Sequence, residues 1–212
     1  MRCKCGAAVD ALGAHYFGTC PYRRADYTVR NTALVHLLVR ALRRSAQWRD
    51  VSVEVAIATP DPGDEGLRLD VRAVNAASTA AKRMEESVAR PLGDTLLWWV
   101  VDAPANQVAA AGREVRKNRK YSDNHPDETP TLSFSPVVWE TFDRLGPATA
   151  KFLAWALGGP NRSSSLAAFL TDASVILRRF NARLVIDGLA CSLSTRPIAG
   201  EKGPPRRADI SG

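Results

Sequence analysis

The sequence is short of long apolar runs and of cysteine, and each shortage excludes something. No stretch of its 212 residues approaches the roughly 18 consecutive apolar residues a bilayer-spanning helix requires. Its first residues, with Arg2 and Lys4 set among cysteines, lack the apolar centre of a signal peptide. The chain therefore reads as intracellular, with no membrane partner. There are only four cysteines, and Cys191 stands far from Cys3, Cys5 and Cys20, which argues against a framework of two disulfides. In a reducing compartment a clustered set is more often a metal site. No internal repeat is present, so a solenoid is excluded.

What is there suffices for a sizeable core. With 45% hydrophobic residues, one domain plus appendages is the first reading, and two small domains the other. Lysine and arginine number 29 against 22 acidic residues, giving +7 and a pI near 9.6. Such an excess is compatible with a polyanionic partner without demanding one. Its placement says more. Arg23, Arg24, Arg30, Arg40, Arg43 and Arg44 follow the cysteines, and Arg113, Arg116, Lys117, Arg119 and Lys120 crowd one short stretch. Each group is a solvated helix face or a grip on phosphates.

In "NTALVHLLVRALRRSA", Leu34, Leu37, Leu38, Ala41 and Leu42 recur at helical spacing. "VSVEVAIA" alternates, ends at the turn-forming "TPDPGDEG", and is followed by "LRLDVRAV", which sets Leu67, Leu69, Val71 and Ala73 opposite Arg68, Asp70 and Arg72. Together these read as a hairpin. Residues 75–92, rich in alanine and charge, read as a helical or floppy insertion, and "TLLWWVVD" as a central buried strand. Pro104 opens a helix running to about Tyr121. "TLSFSPVV" is a strand, "GPATAKFLAWALGG" a helix, and Leu166 to Leu184 the longest helical stripe. Beyond Leu193 the composition suits a disordered tail. The order of elements describes an α/β fold, a mixed β-sheet flanked by helices.

Cys3, Cys5, His15 and Cys20 fall in the order Cys-Cys-His-Cys within twenty residues, the ligand count of a structural Zn²⁺ site. The single residue between the first pair is a tight gap, for which Gly6, Gly13 and Gly18 supply pliable backbone. Such a staple folds a short protrusion able to touch nucleic acid beside a larger domain. His36 and His125 read as ordinary surface residues.

These stretches taken in order, "CKCGAAVDALGAHYFGTC", "VRNTALVHLLVRAL", "LRLDV", "REVRKNRKYSD" and "FSPVVWETFDRLGPATAKFLAWAL", resemble the C-terminal region of non-LTR retrotransposon polyproteins. There a zinc knuckle follows the reverse transcriptase and leads into a restriction-like endonuclease of the PD-(D/E)xK class. The resemblance spans roughly residues 3–160. It implies a knuckle over residues 1–24, a restriction-endonuclease-like domain over 25–160, a C-terminal helix over 161–193 and a tail over 194–212. It also implies two acids and a lysine that bind Mg²⁺ or Mn²⁺ and direct water at a DNA phosphate. By the same resemblance Asp70 is the first acid, Lys117 the helical lysine with Lys120 as substitute, and Glu54 an auxiliary acid. DNA or RNA is the implied partner, a larger reverse transcriptase polyprotein the implied context, and the nucleus the site of action of an active copy.

The chain departs from the family pattern in several places. Leu69 stands where the family has proline before the first aspartate, and Asn31 where it has histidine. Trp98 or Trp99 occupies the place of the second acid, and Asp102, on the same strand face, lies about 13 Å further along by ordinary strand rise. These substitutions suit a relic that kept its fold and lost a metal ligand. Beside a nuclease, the sequence leaves two readings open. One is a non-catalytic nucleic-acid-binding module using the knuckle and the Arg113–Lys120 helix. The other is a protein-interaction domain in which Trp98, Trp99, Trp139 and Trp155 pack a core or an interface.

Overall fold

The computed structural model describes residues 2–9, 14–17, 20–56, 68–78, 81–89, 108–124, 132–141, 144–158 and 162–193. After the N-terminal cysteine loop, helix α1 (Arg24–Arg44) leads into strands β1 (Trp48–Ala56), β2 (Arg68–Asn75) and β3 (Ala81–Ala89). Helix α2 (Val108–Asn124), strand β4 (Leu132–Glu140) and helices α3 (Pro147–Leu157) and α4 (Arg162–Leu193) follow.

The apolar stripe of α1 decides which side of the sheet it covers. Leu34, Leu38 and Leu42 are fully buried and pack with Val71, Ala73, Met84, Val137 and Trp139. Each such leucine contributes about 1.5–3 kcal/mol by leaving water. Helices α3 and α4 complete this core through Phe152, Leu153, Phe169 and Leu177. Trp139 lies within it, whereas Trp155 is half exposed, edge-on to Trp48.

The four strands form one sheet in the order β1-β2-β3-β4. β1 and β2 are antiparallel, with the register shifting between Arg49 and Ser52 where Asp50 takes a positive φ of 50°. This is a bulge, an extra residue absorbed in one strand. β2 and β3 are also antiparallel, while β3 and β4 run parallel. Parallel neighbours need a crossover, and α2 lies on that connection, on the sheet face opposite α1.

One sequence expectation is overturned. Within the stretch read as a helical or floppy insertion, Ala81–Ala89 form β3, after a turn that follows Asn75. The Asn75 side-chain oxygen accepts from the amides of Ala77 (2.9 Å) and Ser78 (3.2 Å), a turn that asparagine makes with its own backbone. Met84 then meets Val71 across the ladder, both fully buried. Core burial outweighs the helix preference of the alanines. The expected strand at residues 95–102, with Trp98, Trp99 and Asp102, lies outside the described residues, as do His125 and the tail beyond Leu193.

Candidate functional site

Asp70 and Glu85 reach the α2 side of the sheet by alternation. Their neighbours Val71 and Met84 point into the α1 core, so the flanking residues turn to the other face. The antiparallel ladder ends at the pair Val71–Met84, and Asp70 and Glu85 are the next residues along their two strands. On β1, Glu54 lies between the pairs Val53–Val71 and Val55–Leu69, at the backbone position opposite Asp70.

Helix α2 brings the lysine. Ala110, Glu114, Lys117 and Tyr121 are its buried residues, at successive spacings of four, three and four, one face of a helix. Lys117 Nζ lies 2.6 Å from Glu85 Oε1. Burial pushes the Lys117 ammonium below the usual lysine range, while the charges of Glu85 and Asp70 act in the opposite sense. Asp70 is thus near enough for its charge to be felt by Lys117. Tyr121 stacks on Phe134 with centroids 3.9 Å apart, and burial, then the charge of Glu85 and a hydrogen bond to it, then the charge of Asp70, push its phenol up. Glu85 thus stands between the Lys117 ammonium and the Tyr121 phenol, both of which interact with its carboxylate.

Glu114 has a different duty. Its carboxylate accepts from the amides of Ala148 (3.1 Å) and Thr149 (2.8 Å) and from the Thr149 hydroxyl (2.6 Å), capping the first turn of α3. An anion there is favoured by the helix dipole. Gly146 makes this approach possible, since a Cβ at that position would sit 2.1 Å from Glu114 Oε1. Glu140 similarly accepts from the Ala110 amide at 3.2 Å, in the first turn of α2. Two carboxylates therefore fix the helix that carries Lys117.

Of the basic residues singled out in the sequence, Arg113, Arg116, Arg119 and Lys120 are exposed on α2. Arg24 is exposed on α1. Arg23 is engaged in ion pairs with Asp26 (3.1 Å) and Asp187 (3.6 Å). Arg30, expected to grip nucleic acid, is only 3% exposed and cannot do so. Its guanidinium donates to the Phe17 carbonyl (3.5 Å) and to Asn181 (3.1 Å), whose amide in turn donates to the Thr141 carbonyl. Burial pushes Arg30 down to about 10, still charged at neutral pH.

That network holds the second group of functional side chains. The ligand atoms of Cys3, Cys5, His15 and Cys20 all lie within 4.8 Å of one another. Cys3 and Cys20 sulfurs are 3.6 Å apart, and Cys5 Sγ is 3.0 Å from His15 Nε2. Tetrahedral Zn²⁺ with bonds of about 2.3 Å to sulfur and about 2.0 Å to nitrogen requires edges of roughly 3.5–3.8 Å. The four residues form a cluster that can hold a metal ion such as zinc. The tight gap after Cys3 is closed by a turn in which Gly6, at φ 86°, donates to the Cys3 carbonyl (2.8 Å) and Cys3 donates to Ala7 (2.9 Å). Burial pushes the Cys20 thiol up to about 12, so a thiolate there calls for a cation beside it.

The cluster is not a free protrusion. Tyr16 and Phe17 pack with Leu184, Val185 and Leu189 of α4. The Tyr16 ring lies so close to the helix that a Cβ on Gly188 would meet it at 2.7 Å. Tyr27 of α1 ties the loop from below, donating to the Tyr16 carbonyl (2.9 Å) and accepting from the Cys20 amide (3.1 Å).

Sequence reasoning missed Glu85 and Tyr121. Both had a signal. A reversal at Asn75 brings Glu85 back alongside β2, and Tyr121 follows Lys117 by one helical turn. The sequence matches no protein-family model and no curated protein.

Proposed function

We propose that this chain is a metal-dependent DNA endonuclease domain of the restriction-like kind found in non-LTR retroelements, with a zinc knuckle at its N-terminus. The observation that carries the reading is the convergence of two acids from adjacent strands and a buried lysine from the crossover helix. An acidic pair and a lysine on a mixed sheet are what the resemblance implies. Glu85 supplies the second acid that the tryptophan run lacks, which favours an active site over a relic.

Asp70 and Glu85 fit a hard divalent cation. They offer carboxylate oxygens from adjacent strands, the donor type such a cation takes. When bound, Mg²⁺ or Mn²⁺ would stabilise negative charge at the scissile phosphate and activate water. Glu54, opposite Asp70 in the register, is the candidate auxiliary acid. Lys117 supplies a fixed positive charge beside the acids, suited to holding a phosphate oxygen or the attacking water in place. Arg113, Arg116, Arg119 and Lys120, exposed on the same helix, suit the flanking phosphates. In the knuckle, Cys3, Cys5, His15 and Cys20 would hold Zn²⁺ as a structural ion.

The test is nicking of supercoiled DNA with Mg²⁺ or Mn²⁺. Asp70→Asn, Glu85→Gln and Lys117→Met should each reduce the rate at least about 100-fold, in proportion to the loss of fixed electrostatic stabilisation. Wild-type nicking that survives all three substitutions would refute the assignment. The exposed arginines favour one further reading, nucleic-acid binding without cleavage. In that case DNA affinity falls steeply with salt, by about 0.9 log units per log unit of salt for each neutralised phosphate, while no nicks form.

A further inference from the structure

On the α1 side of the molecule, away from the acids and the lysine, lies a groove of about 750 Å³ with no assigned duty. It runs between the C-terminal half of α1, the turn into β1 and the first three turns of α4. Leu37, Leu157 and Phe169 give it an apolar floor, and Ser164, Ser165 and Gln47 line it with polar groups. Two cations line it as well. Arg40 and Arg44 stand one helical turn apart, both exposed, and among the described residues neither makes an ion pair. Arg43, which is not part of the lining, instead donates to the Val51 carbonyl at 3.3 and 3.0 Å. Asp172 is the one carboxylate among the described lining residues, so the groove carries a net positive charge.

Gln47 narrows the choice of guest. Its Oε1 is buried without a hydrogen-bond partner among the described residues. The turn that carries it is pinned, because the Ala76 amide donates to the Gln47 carbonyl (2.8 Å) and the Trp48 indole to the Ala156 carbonyl (2.9 Å). A buried acceptor held in place without a donor costs free energy, which a donor arriving from solution restores. A bare inorganic anion would answer the arginines but leave the floor and Gln47 unused. We propose that this groove binds a nucleotide, its phosphate held by Arg40 and Arg44, its base laid on the apolar floor with an exocyclic amine donating to Gln47 Oε1. Guanidinium forks match phosphate oxygens, and glutamine matches the amine edge of adenine. The volume falls within the range of about 300–1,000 Å³ usual for small-ligand sites. The nucleotide is free or is an unpaired one within a strand, and neither source depends on the cleavage reading.

The test is calorimetric titration of the whole chain with AMP, with purine riboside monophosphate, which lacks the exocyclic amine, with a short oligoadenylate and with polyglutamate. Replacing both arginines, Arg40→Ala with Arg44→Ala, should weaken AMP binding at least about tenfold, the worth of one hydrogen bond to a charged group. Both side chains are exposed, so the melting temperature of that variant should stay at the wild-type value. Asp172→Asn removes a carboxylate that repels phosphate and should tighten AMP. Wild type should prefer AMP to purine riboside monophosphate, and Gln47→Leu should abolish the preference. Oligoadenylate that binds more tightly than AMP assigns the groove to a strand, and oligoadenylate that binds no more tightly assigns it to a free nucleotide. The proposal is overturned by an absence of AMP binding in the millimolar range, by AMP affinity unchanged in the double arginine variant, or by equal affinity of wild type for the two monophosphates. Polyglutamate bound as tightly as oligoadenylate would also overturn it, since the groove would then be a basic surface and no more.

Discussion

Glu85→Gln removes one charge from a buried pair and leaves the other without its nearest partner. Lys117 Nζ and Glu85 Oε1 are 2.6 Å apart, with side chains 7% and 22% exposed. Breaking such a pair from one side costs about 3–5 kcal/mol, because the remaining charge stays out of water. Lysine also has an escape, which sets a ceiling. Losing its proton at pH 7 from a reference pKa near 10.4 costs about 4.6 kcal/mol, at about 1.36 kcal/mol per pH unit. Asp70 still feels the ammonium, and Glu85 is not wholly dry, so the loss should fall near the lower bound, about 3 kcal/mol. Lys117→Met should cost less, because a carboxyl beside a second carboxyl can take up a proton. The double variant should return to within about 1 kcal/mol of wild type, since a neutral pair replaces an ionic one. Urea denaturation of all four proteins at pH 7 measures the coupling, expected at about 2 kcal/mol or more. A Glu85→Gln cost below about 0.5 kcal/mol with no coupling would mean the pair is solvated, and the convergence argued for the site would be lost.

Other consequences can be checked alongside. Metal analysis of protein purified without chelator should find one zinc per chain, reduced by Cys20→Ser, and chelation should lower the melting temperature because the ion contributes folding energy. Gly188→Ala should destabilise by about 1–3 kcal/mol in urea and loosen zinc retention, since the new methyl drives the Tyr16 ring off α4. The result to look for against this is an unchanged midpoint with full zinc. Lys82 lies about 6 Å from the Phe152 and Trp155 rings, and burial pushes its ammonium down. The folded state therefore releases that proton before the unfolded state does. As pH climbs from the lowered value toward about 10.4, wild type should gain stability relative to Lys82→Met. Parallel pH profiles for the two proteins would contradict the burial.

Most of the fold was legible because its elements bury apolar residues at the period of their secondary structure. Leu34, Leu38 and Leu42 announced α1, and Val71 with Ala73 announced the core face of β2. Where contacts rather than period set the boundary, the reading fell short. Helix α1 begins at Arg24, nearly three turns before the apolar stripe, because Tyr27 and Arg30 are held by hydrogen bonds to the cysteine loop and to α4. No local pattern encodes those distant partners. Arg30 was misread as a surface cation for the same reason, its acceptor Asn181 being a side chain from the last helix.

The second acid stayed hidden for a subtler reason. Among the described side chains of "AKRMEESVA", Met84 and the small Ala81 are the buried apolar ones, too few to read as an apolar alternation. A functional strand reads poorly because the face that does chemistry is polar and the one that builds the core is narrow. The same conflict marks α2, whose inward face holds Glu114 and Lys117 rather than leucines. Glu114 is absorbed by the amides of α3, and Glu85 by Lys117 and Tyr121. What distinguishes the site from ordinary helix packing is therefore its concentration of charge: Asp70, Glu85 and Lys117, with the Tyr121 phenol beside Glu85, share one side of the sheet. A fold selected for stability alone would more readily fill that side with apolar residues, because each buried charge costs free energy unless it is paired.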